Sequence, residues 1–242
     1  MPHTTSLLVR PALVVLAFGA LGCSSDLVLP ESPGGAAQTV ALTKAGGDIQ
    51  TGAVGETLAL PLVVRVVDGE QHPVIGLSVS FELSDPAAGG VSPASATTDS
   101  DGQAVANWTL GTVPGRYTVV ARLVGIPGED KVTEFQGIAA PGAPAALTAQ
   151  TPLLQPGSRE QKVQTPPVVQ VVDRFGNPVP EVPVVWQVLA GEGTASPING
   201  NTDPDGNATA DWTLGNRIGV HKLSAAVDGV DPSVIFEARV LF

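Results

Sequence analysis

Beyond residue 38 the chain alternates apolar and polar side chains with a period of two. Leu77, Val79, Phe81 and Leu83 alternate with Ser78, Ser80, Glu82 and Ser84, the pattern of a strand with one buried and one solvated face. Ala104, Ala106, Trp108 and Leu110 share one face of a second strand, and Tyr117, Val119, Ala121 and Leu123 one face of a third. Turn formers separate these runs at Asp99–Gly102, Gly176–Pro178 and Asp205–Gly206. No stretch after residue 23 carries a helical period. Short strands at intervals of about 8 to 12 residues predict an all-β sandwich.

The pattern is written twice. Pro61–Asp68 recurs as Pro166–Asp173, an offset of 105, and Thr98–Gly111 recurs as Thr202–Gly215, an offset of 104. A near-constant offset of one domain length marks a duplication in which each copy is a complete unit. The boundaries expected from it are 39–140 and 141–242. Residues 139–144, rich in Pro and Ala, form a short joint between the copies.

Composition supports the same class. Gly (28) and Pro (22) exceed a fifth of the 242 residues, 43% are hydrophobic and only 14% charged, which is too apolar for disorder and too rich in turn formers for a helical bundle. The formal net charge of −11 repels a phosphate backbone, and no basic stripe offsets it, so nucleic acid is not an expected partner.

The first 22 residues read differently. Arg10 precedes Ala12–Gly22, an uncharged apolar run of 11 residues, too short to span a membrane as a helix and suited to the core of a secretion signal. The run ends in Ala20-Leu21-Gly22-Cys23, which resembles the lipobox of bacterial lipoproteins. The resemblance implies cleavage before Cys23, acylation of its thiol and new amino group, and stable attachment to a membrane by more than one acyl chain. Ser24 follows, where an Asp would favour retention at the inner membrane, so the outer membrane of a Gram-negative cell is implied. Residues 24–38 are expected to form a tether reaching at most about 50 Å. Cys23 is the only cysteine, so no disulfide supports either sandwich.

Each copy resembles the bacterial immunoglobulin-like group 1 domain, the repeat of the invasin and intimin adhesins. The motifs that carry the likeness are Val-x-Asp before Gly176–Val179 (degenerate as Gln71–Val74), the strand holding Phe81 or Trp186, Thr98–Ala104 with Thr202–Ala208, and Trp108–Gly111 with Trp212–Gly215. Two tandem immunoglobulin-like sandwiches are implied. The membrane barrel and receptor-binding head of those adhesins have no counterpart in this sequence.

Catalytic chemistry finds little support. Of three histidines, His3 lies in the signal, while His72 and His221 stand in different copies, too few to build a triad or a histidine metal site. His221 takes the place of Tyr117 and is expected near a sandwich edge. Asp99/Asp101 and Asp203/Asp205 raise the question of calcium, but Trp108 and Trp212 occupy the position where a helical calcium loop needs its last carboxylate; a turn is expected instead. Trp108, Trp186 and Trp212 are expected to pack in the cores. Phe175, in the loop where the first copy has Glu70, is a candidate contact residue. The chain is therefore expected to be a non-enzymatic, cofactor-free envelope or surface lipoprotein, acting as a spacer or as a binding and adhesion module for a protein or polysaccharide. The alternative is an accessory subunit of a periplasmic or secretion complex.

Overall fold

The computed structural model describes residues 39–128 and 131–241; the signal, Cys23 and the tether lie outside the described residues. The first copy contributes β1 (Ala41–Gly46), β2 (Gln50–Ala53), β3 (Leu62–Val67), β4 (Ser78–Leu83), β5 (Gly89–Ser92), β6 (Ser95–Thr97), β7 (Gln103–Leu110), β8 (Gly115–Leu123) and β9 (Val132–Ala140). One sheet runs β1-β3-β7-β5 and the other β2-β9-β8-β4-β6. All pairings are antiparallel except β2 on β9, where Gln50 aligns with Gly137.

The alternation seen in the sequence decides what lies between the sheets. Leu62, Val64 and Val66 of β3 and Ala104, Ala106 and Trp108 of β7 are buried with Val79, Phe81, Val119, Ala121, Leu123 and Phe135 from the opposite sheet. Alternate residues of each strand face water, as a two-layer sandwich requires. The one helical turn among the described residues is a 3₁₀ turn at Pro86–Ala88, capped by the Asp85 carboxylate, which accepts from the Ala87 N–H at 2.8 Å.

The second copy repeats the plan with β10 (Pro144–Ala149), β11 (Leu154–Gly157), β12 (Val168–Asp173), β13 (Pro183–Ala190), β14 (Thr194–Ser196), β15 (Asn199–Asn201), β16 (Asn207–Thr209), β17 (Asp211–Thr213), β18 (Gly219–Val227) and β19 (Val230–Val240). Its large sheet runs β11-β19-β18-β13-β15, its other face is β10-β12-β16, and β14 pairs with β17. A separate core gathers Val169, Val171, Val184, Trp186, Trp212, Leu223 and Phe236, with the Trp186 and Phe236 rings 6.2 Å apart. The two cores share no residue, and only residues 141–143 separate β9 from β10. The fold is thus all-β, with two tandem immunoglobulin-like sandwiches.

One expectation changes. β18 is the central strand of its five-stranded sheet, so His221 sits inside the sandwich at 1% exposure and not near an edge. An edge strand and a central strand carry the same period of two, and the period alone does not say how many neighbours a strand has.

Candidate functional site: the loop end and outer sheet of the second sandwich

The Asp-x-Asp-Gly segments are turns built by their own backbones. Asp99 Oδ1 accepts from the N–H groups of Asp101 and Gln103 at 2.9 and 2.8 Å, and Asp203 does the same for Asp205 and Asn207. Gly102 and Gly206 supply the left-handed backbone at φ 70° and 74° that lets the hairpin close. One oxygen of each leading Asp is thereby occupied by two backbone amides. Among the described residues no three His, Cys, Asp or Glu side chains are grouped to hold a metal, and no helix is long and apolar enough to cross a membrane.

His221 is held as Tyr117 is held. The Tyr117 hydroxyl donates to the Val113 carbonyl at 2.9 Å, and His221 Nε2 lies 2.8 Å from the Arg217 carbonyl, four residues upstream in both cases. A carbonyl only accepts, so Nε2 carries the proton. This is a strand anchor of the tyrosine-corner kind. His72 is exposed in a loop beside Asp68 and Glu70.

Phe175 is placed at the junction between the two copies. Asp173, 3% exposed, receives four amide donors with its two carboxylate oxygens. Oδ1 accepts from the N–H of Phe175 and Asn177 at 2.8 and 2.9 Å, Oδ2 accepts from the N–H of Gly142 at 2.9 Å, and the Asn177 side-chain amide donates to both. Burial alone would raise this carboxyl's pKa; the donors from the Asn177 amide, Gly142, and the Asn177 and Phe175 backbones outweigh it and hold the group below its ordinary value. The same Asn177 amide also donates to the Thr112 carbonyl of the first sandwich at 2.8 Å. The Phe175 ring lies over Gly55, where an added Cβ would come within 2.8 Å of Cζ, and the Arg174 guanidinium stacks 4.6 Å from the ring centroid.

The two large sheets differ on their outer faces. In the first, Ser80, Glu82, Arg122 and Glu134 stand side by side on β4, β8 and β9. Their repeat equivalents are Val185, Gln187, Ala226 and Ile235 on β13, β18 and β19. Three charges and a hydroxyl have become two aliphatic side chains, an amide and a methyl. Val185 and Ile235 are 46% and 42% exposed. Lys222 and Glu237 on this face pair at 2.8 Å, and Arg239 stands exposed two residues further along β19. Sequence reading places the joint at 139–144 and singles out Phe175, but it gives neither this face nor the contacts that Asp173, Phe175 and Asn177 make across the junction. The available signal was the set of positions at which the two copies differ in chemical class.

No family model matches the chain. Over 205 residues it is 27% identical to the inverse autotransporter adhesin YeeJ of Escherichia coli (strain K12), an alignment covering 81% of this chain and 8% of that protein. The solved structure of the Escherichia coli adhesin FdeC matches 82% of this chain and 63% of its own, with TM-score 0.53 and 23% identity. InvD of Yersinia pseudotuberculosis matches 83% of this chain and 57% of its own, with TM-score 0.48 and 18% identity. The FdeC likeness shows a shared sandwich fold. The chain spans only a small part of the curated relative and under two thirds of the FdeC chain.

Proposed function

We propose that this chain is an adhesion module of the bacterial surface, made of sandwiches 39–140 and 141–242 and held at the outer membrane by an acylated Cys23. The observation that supports this reading most is the likeness to an inverse autotransporter adhesin across both sandwiches. The partner contacted is a protein, and the contact surface is the outer face of the β13-β18-β19 sheet. A face that carries exposed Val185 and Ile235 where the first copy has Ser80 and Glu134 suits burial against a protein, since contact cores are depleted in charge. A polysaccharide partner would need aromatic platforms, and all three tryptophans are buried.

The test uses the chain carrying Cys23→Ser, incubated with epithelial cells, matrix proteins and envelope polysaccharide. Saturable binding to a protein target is expected. Val185→Lys with Ile235→Lys should weaken it at least about tenfold, because charges buried unpaired at the centre of a contact are costly. The thermal midpoint should move by less than about 4 °C, as surface substitutions do. Absence of binding to every target would overturn the adhesive reading. For the anchor, palmitate should label the parent and not Cys23→Ser, and protease added to intact cells should remove the sandwiches; an unlabelled parent or full protection would reject anchor or exposure respectively.

A further inference from the structure

The two sandwiches carry the same turn at the end of β3 and of β12, yet only one of these turns reaches another domain. Asp68 Oδ1 accepts from Glu70 and His72 N–H groups at 2.8 and 2.9 Å, as Asp173 does from Phe175 and Asn177. Gln71 and Gly176 both adopt positive φ, 70° and 85°. The turn is therefore intrinsic to the repeat. What differs is its cargo: Glu70 and His72 in the first copy stand where the second has Phe175 and Asn177.

The receiving end differs in the same way. Gly55 holds φ 76°, and its N–H donates to Gly111 O at 2.9 Å, which sets the loop that Phe175 covers. The equivalent residue of the second copy, at the 105 offset, is Glu160, with φ 59°. The backbone is shared, but Glu160 carries a side chain at the position where Gly55 leaves the ring its room. In place of Thr112 stands Asn216.

We infer that the two sandwiches are locked in one relative orientation by a clasp that this chain can form only once, with Asp173, Phe175 and Asn177 closing on Gly142, Gly55 and Thr112. Each half fails without the other. The Asn177 amide is oriented by the Asp173 carboxylate before it donates to Thr112 O, and the Asp173 carboxylate also holds the linker at Gly142. The ring then blocks rocking about these polar contacts, because it meets backbone and no movable side chain at Gly55. The loop at Asp68–His72 and the loop at Glu160 lack the ring, the amide and the open glycine, so neither would accept a further sandwich in this manner.

Pulsed electron-spin distance measurement tests this on the full chain carrying Cys23→Ser, with spin labels at Glu82→Cys and Gln187→Cys, both exposed on the outer sheets. The parent should give one narrow distance distribution. Gly55→Glu and Asn177→Ala should broaden it at least about twofold, since domains joined by a weak interface move relative to one another. Glu160→Gly should leave it unchanged. Gly55→Glu is compatible with folding, because Glu160 occupies the same backbone conformation, and Asn177→His, which copies His72, serves if Asn177→Ala does not fold. A broad distribution in the parent, or distributions as narrow as the parent's in both Gly55→Glu and an Asn177 variant, would overturn the inference.

Discussion

At the scale of single residues the duplication works as an internal control. Trp108 and Trp212 occupy equivalent positions, and both are buried. Trp108 Nε1 donates to the Ala88 carbonyl at 2.9 Å because the 3₁₀ turn Pro86–Ala88 brings that oxygen over the indole. In the second copy that segment is Ala190–Glu192, and Trp212 Nε1 finds no acceptor among the described residues. Trp108→Phe therefore loses volume and a made hydrogen bond, whereas Trp212→Phe loses volume and relieves an unpaired donor. We expect Trp108→Phe to cost its sandwich about 1 kcal/mol more than Trp212→Phe costs the other. Denaturant unfolding of each variant, followed by circular dichroism and compared with the parent, measures the difference; equal losses would count against the argument.

At the scale of elements, the Asp-led turns fix where strands reverse, and their chemistry makes two predictions. Since Asp99 and Asp203 each commit one oxygen to backbone amides and no three acidic, His or Cys side chains gather there among the described residues, the thermal midpoint should be the same in calcium and in a chelator. A calcium-dependent rise of several degrees would show that the loops hold metal after all. Asp173 predicts a pH dependence. Its pKa is lower in the folded chain than the ordinary carboxylate value of about 4, so the unfolded chain binds the proton more tightly. Its contribution is then fully present above about pH 5 and is lost as pH falls below about 4 toward the folded pKa. The same sign applies to Asp68, lowered chiefly by the His72 backbone amide. Asp173→Asn should flatten the acid side of the stability profile of the junction, read from interdomain distances as pH falls from about 5, where the carboxylate is charged in both states, through about 4 and below.

At the scale of the whole molecule, the two cores share no side chain, and the clasp and the linker join the copies. A fragment of residues 39–140 should therefore unfold cooperatively by itself, with a midpoint within about 5 °C of its transition in the full chain. Calorimetry of fragment and full chain checks this, and an unfolded fragment would mean that the second copy supplies part of the first core. Such independence leaves the surfaces free to diverge. The first outer sheet stays charged, while the second has become partly apolar, and that asymmetry gives the proposed contact its side.

Much of this was legible before any coordinates. The period of two at Leu77–Leu83 and Ala104–Leu110 names the buried face, because successive strand side chains must point to opposite sides. The repeated blocks name the duplication, and Asp followed by Gly at Asp99–Gly102 names the turn. Which strand is central was not legible, since backbone donors and acceptors are satisfied by any properly registered neighbour; hence His221 was placed at an edge that β18 does not have. Nor was the role of Phe175. Its partner Gly55 lies far away along the chain, and only the folded packing of one copy on the next brings that ring, the shared Asp173 carboxylate and the glycine's open backbone into contact.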